Sequence, residues 1–161
     1  MVTVTRTITP AGEALLTALR DLENRTLKVG WFESSKYDAD TSVAEVAAQN
    51  EFGNSSKRIP PRPFMRPTIR ERQGAWADLA ASGARAILAG NESADSVLNA
   101  LGGQASGDIA STITKVQSPA LAPFTLMKRR ESRGLPAGAP VSDKPLVDTG
   151  LMISSVTWVV E

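Results

Sequence analysis

The chain contains neither cysteine nor histidine. Without cysteine there is no disulfide framework and no thiolate chemistry, which fits a reducing compartment. The lack of histidine removes the usual general base near neutral pH and the commonest metal ligand, so His-dependent catalytic triads and His-containing zinc sites are ruled out. Long apolar runs are missing as well. No window approaches the 18 or so residues that a membrane-spanning helix needs, and no basic region followed by an apolar stretch opens the chain. These absences point to a soluble product of the cytosol.

What is present is one domain's worth of chain, 161 residues with 42% apolar content, 12 glycines and 10 prolines. That length suffices to bury a core, and the glycine and proline content predicts several long loops or arms around it. The net charge of +1 hides a segregation. Acids dominate the first third, through Glu13, Asp21, Glu23, Glu33, Asp38, Asp40, Glu45 and Glu51. Lys57, Arg58, Arg62, Arg66, Arg70 and Arg72 then face only Glu71, and Lys128, Arg129, Arg130 and Arg133 make a second basic cluster. Such an asymmetry suits pairing between subunits, or phosphate contacts.

The periodicities predict an α+β fold, a small mostly antiparallel sheet packed against a few helices including one long one. Val2 to Ile8 alternates like a half-exposed strand. Thr9 and Pro10 are N-cap and first-turn residues for a helix carrying Leu15, Leu16, Leu19 and Leu22 and ending near Asn24. Residues 27–32 read as a strand. Ser42 and Glu45 form a capping box for a short helix that Gly53 stops, with Glu51 as a surface acid at its end. Pro67 opens a long helix to about Ala89 with Ile69, Trp76, Leu79, Ala80, Gly83 and Ile87 as its apolar stripe. A further helix over 93–116 contains Gly102, Gly103 and Gly107, which calls for a kink or an unusually close neighbour. A closing strand runs through Val156, Trp158 and Val160. Trp31, Trp76 and Trp158 all lie on apolar stripes and read first as core, then as interface anchors.

Between these elements lie two irregular stretches. The strap at 54–67 holds Pro60, Pro61, Pro63 and Pro67, whose fixed φ and effect on the preceding residue predict neither helix nor central strand. The arm at 118–145 is longer than an idle loop in a compact domain. Both belong to a single domain over 1–161.

Chemical signatures are few. Asp148-Thr149-Gly150 after two apolar residues resembles an aspartic-peptidase turn, but the chain has one copy, too little sequence follows it for that fold, and a dyad needs two carboxyls sharing a proton. The turn reads better as the cap of a short helix over Leu151 to Ser154. No phosphate-binding glycine loop and no metal-ligand spacing of carboxylates is present, so no enzymatic activity, cofactor or metal is expected.

Three ordered segments resemble a family of tailed double-stranded-DNA phage proteins, the minor tail or tail-completion (neck) proteins of long-tailed phages. They are Val29–Phe32 leading into Ser42–Gly53; Ile59–Pro67; and Ala122–Thr125 with Lys128-Arg129, then Lys144–Met152 and a strand. Residues 131–142 look like an insertion relative to that pattern. The resemblance implies an α+β virion protein forming a ring, expected to be hexameric, at the head-proximal end of the tail, where it helps join tail to head. Its implied partners are other copies, the tail terminator or tail tube, and head-connector proteins, with packaged DNA in the lumen as a further candidate contact and no membrane. A tail terminator or a head-side connector is the alternative role. A DNA-contacting module using Arg58, Arg62, Arg66, Lys128, Arg129 and Arg130, and a peptidase, are remoter ones. Candidate subunit-interface residues are Arg58, Ile59, Arg62, Phe64, Arg66, Phe124, Lys128, Arg129, Arg130 and Trp158. On this reading, charge reversal at Arg62 and Arg66 leaves the monomer folded and blocks assembly, and the arm orders only on assembly.

Overall fold

The computed structural model describes residues 8–33 and 35–161, and the strand expected over Val2 to Ile8 lies almost entirely outside them. In chain order the elements are α1 (Pro10–Glu23), β1 (Leu27–Gly30), α2 (Val43–Phe52), α3 (Met65–Leu88), α4 (Ala94–Lys115), α5 (Pro123–Glu131), α6 (Leu151–Ser154) and β2 (Thr157–Val160). The α+β class expected from the sequence is what forms.

Local chemistry accounts for five of the helix boundaries. Thr9 Oγ1 accepts from the Gly12 amide, Ser42 Oγ from Glu45 and Ser93 Oγ from Ser96, so three helices begin at side-chain caps. Only half of the expected capping box closes: Glu45 reaches Gln49 Nε2 at 2.6 Å rather than back toward Ser42. At the other ends, Gly53 (φ 78°) stops α2 and Gly90 (φ 75°) follows α3, a conformation glycine adopts without the Cβ penalty.

β1 and β2 pair antiparallel, with Leu27 opposite Val160 and Val29 opposite Trp158. Thr26 and Glu161 extend the ladder with reciprocal backbone bonds of 2.7 and 3.0 Å. This ribbon packs across α4, and α3 returns antiparallel along α4 through the turn at Gly90. Two helical glycines permit these approaches. A Cβ on Gly83 runs into Val97, and one on Gly102 runs into the Trp158 indole, so the close-neighbour reading of the α4 glycines holds at Gly102. Gly107 has nothing near it.

The core gathers Val43 and Ala47 of α2, Phe64, Ile109 and Ile113 of α4, Leu146 and Met152, with Trp31 packed edge-on to Phe64 at 5.7 Å between centroids. Along α3 only Thr68 and Ile87 are buried, and Ile69 and Leu79 of the expected apolar stripe are 45% and 36% exposed. α1 has no buried residue, leaving Leu15, Leu16 and Leu19 on the surface.

Candidate functional site

The strap, the first turn of α3 and the arm meet around two buried ionic centres. The first is Glu51, at the C-terminal end of α2. Sequence reading makes it a surface acid; in the structure it is 3% exposed. Its Oε2 accepts from the amides of Phe64 (2.7 Å) and Met65 (2.9 Å), and Oε1 from the Arg66 amide (3.2 Å) and Arg66 Nε (2.8 Å). α3 has no capping side chain at Phe64. Glu51 supplies that cap from another helix, placing a carboxylate where the α3 dipole and its unpaired N–H groups favour negative charge. Burial alone raises the Glu51 pKa; Arg66 and the three backbone donors outweigh it and hold the carboxyl below the usual range.

The second centre is arginine-based. Arg62 is 6% exposed and donates through Nε to the Pro119 carbonyl (2.7 Å) and through Nη2 to that of Ala120 (3.1 Å). Arg129, on α5, is 7% exposed and donates to the carbonyls of Ser142, Lys144, Pro145 and Val147 at 2.8–3.1 Å. Each guanidinium is thus a clip that gathers irregular backbone whose carbonyls would otherwise go unpaired. Burial lowers the pKa of both arginines, and for Arg62 the Arg129 charge adds to the effect.

These contacts redistribute the candidate interface residues. Phe64 is fully buried in the core, so it is no surface anchor; its amide is held by Glu51 and its ring packs against Trp31. Arg62 and Arg129 are likewise spent on backbone carbonyls of their own chain. Charge reversal at Arg62 therefore acts on the fold itself and is not a clean assembly variant. Arg66 is 60% exposed in its side chain, yet the acid it pairs with is the same chain's Glu51, and its guanidinium lies 5.1 Å from the centroid of the Phe52 ring. Arg130 Nε donates to the Ala139 carbonyl at 2.7 Å. Trp158 is half-buried, donates to Asn99 Oδ1 at 2.9 Å and lies over Gly102, so it anchors its own sheet to α4.

The remainder of the set is accessible. Phe124 is 63% exposed beneath Lys128, whose Nζ is 5.7 Å from its ring centroid and 3.1 Å from Glu131. Arg58 is exposed and Ile59 half-buried on the turn closed by reciprocal backbone bonds between Asn54 and Ile59 at 2.8 Å. Arg58 is the single non-glycine residue at positive φ (54°) among the described residues. Of the six residues assigned to phosphate contacts, the structure leaves Arg58 and Lys128 free of buried backbone duties.

The arm at 118–145 carries α5, which the sequence reading leaves out because Ala122 offers no capping side chain and the helix has no apolar period. Asp148 is held by Arg133 Nη2 at 2.6 Å and lies 3.5 Å from Arg129 Nε. The Asp148–Gly150 turn does precede one helical turn, α6, and Thr149 Oγ1 accepts from the Leu151 amide at 3.2 Å. Among the described residues no group of three carboxylates has metal-binding proximity, and no helix is long and apolar enough to cross a membrane. No protein-family model, no curated protein and no solved structure matches the chain.

Proposed function

We propose that this chain is a structural assembly subunit of a tailed-phage virion, acting in tail completion at the neck as a ring that helps join tail to head. One observation carries the reading. The three segments that resemble neck proteins share one core, Val43 and Ala47 from the first, Phe64 from the second and Leu146 and Met152 from the third, and Glu51 of the first caps the helix opened by the second. Arg129 of the third grips its own Lys144–Val147 stretch. Arg62 ties the second to residues 119–120, just before the third. Motifs that serve one shared scaffold stay in order and spacing together, which is what the resemblance consists of.

The surface supports the same reading. Ile69 and Leu79 on α3, and Leu15, Leu16 and Leu19 on α1, leave apolar area that a neighbouring subunit covers in a ring. Among the described residues the ribbon has two strands, so its outer edges are candidates for strand addition.

The test is a virion preparation and a null phage. The protein is expected in purified particles, and loss of it is expected to yield normal-length tails that do not join filled heads. Overlong tails place it as a terminator instead, and heads that leak DNA as a connector. Absence from particles together with normal virion yield overturns the proposal. At the molecular level, Ile69→Asp with Leu79→Asp is expected to leave the monomer folded and abolish ring formation, read as mass by light scattering.

A further inference from the structure

A cleft of about 510 Å³ opens between the strap and the start of α5. Lys57, Arg58, Arg62 and Arg129 line it, and no carboxylate does. Two of these cations have an acid nearby: Glu45 lies 3.6 Å from Lys57 Nζ and Asp148 3.5 Å from Arg129 Nε. Arg62 is the uncompensated charge. It is 6% exposed, has no acidic partner among the described residues, and donates only through Nε and Nη2.

A buried guanidinium satisfied by neutral carbonyls alone, beside a second buried guanidinium, leaves net positive potential at the wall of the cleft. Another part of the wall adds to that field. Ala122, the N-cap residue, and Thr125 of the first turn bring to it the start of α5, which no side chain caps and whose dipole presents its positive end. We infer that this cleft is an oxyanion-binding site, taking the carboxylate or phosphate-monoester end of a larger molecule. Arg62 Nη1 is the inner donor, and Lys57 and Arg58 on the exposed turn are the outer cations. The volume exceeds that of a bare oxyanion, so the group enters with part of the molecule that bears it. This site involves neither the apolar faces of α1 and α3 nor ring formation, and it stands or falls separately from them.

The experiment uses the full chain at constant ionic strength. Amide and Arg Nε NMR signals are followed as inorganic phosphate or glutarate replaces chloride. Saturable shifts confined to Arg58, Arg62 and residues 121–125 are expected, and Lys57→Ala with Arg58→Ala is expected to weaken binding about five- to tenfold, as for two partly exposed charge contacts. Both residues are exposed, so an unchanged thermal melt shows that the variant is folded. Phosphate alone saturating assigns a phosphate source, glutarate alone a carboxylate, and mutual competition a general oxyanion site. Shifts that do not saturate, that spread over surface lysines elsewhere, or that persist unchanged in the double variant overturn the inference.

Discussion

Replacing Glu51 by alanine removes one side chain and strands three backbone donors at once. The Phe64 amide is buried, so its lost acceptor costs roughly 1–3 kcal/mol, and the loss of a helix N-cap adds about 1 kcal/mol. The Arg66 pair adds little, because that guanidinium is 60% exposed. A total of about 2–4 kcal/mol corresponds to a fall in Tm of roughly 5–15 °C for a domain of this size. Glu51→Gln keeps one acceptor oxygen but loses the charge, for about 1–2 kcal/mol. The two variants also separate by pH. Since the folded pKa of Glu51 lies below its unfolded value of about 4.3, its stabilisation is complete above that value and disappears as pH falls through the folded pKa. Glu51→Gln lacks this slope. Urea unfolding followed by tryptophan fluorescence measures both effects, Trp31 reporting directly through its contact with Phe64. A Glu51→Ala protein that melts within about 2 °C of wild type, or a Gln variant with undiminished acid sensitivity, refutes the cap.

Gly102→Ala is expected to cost about 1–3 kcal/mol because its Cβ meets the Trp158 indole, whereas Gly74→Ala, with open space around it in α3, is expected to stabilise by about 0.5–1 kcal/mol. Thermal melts of the two variants should move in opposite directions. Arg129→Lys replaces a fork serving four carbonyls by a point donor; a loss of about 2–4 kcal/mol is expected, with faster hydrogen exchange over residues 142–148. Arg62→Glu puts an acid against two carbonyls in a buried site, and a loss of about 3–5 kcal/mol, seen as a lowered urea midpoint, is expected before any effect on assembly can be read.

Local sequence chemistry determined where three helices begin and two end. Thr9, Ser42 and Ser93 each supply a hydroxyl within three residues of the amide they cap, and Gly53 and Gly90 turn the chain where other residues are strained. That residues 27–30 and 157–160 form strands follows from the pattern within each segment, whereas their antiparallel pairing joins distant parts of the chain and belongs to the fold. The strap's irregularity follows from its prolines alone.

What the tertiary structure decided is which polar groups are interior. Glu51, Arg62 and Arg129 have the composition of surface residues, and nothing in their neighbourhoods distinguishes them from Glu45, Arg58 or Lys128. Their partners lie 13 to 58 residues away in sequence, so only the folded chain shows that each satisfies backbone groups no local segment can reach. Phe64 turns inward for the same reason: Glu51 fixes the first turn of α3, and that turn sets the direction of its ring. α5 escapes sequence reading because its helix has no apolar stripe. It is held by one buried arginine, and a single long-range anchor leaves no period in the sequence to read.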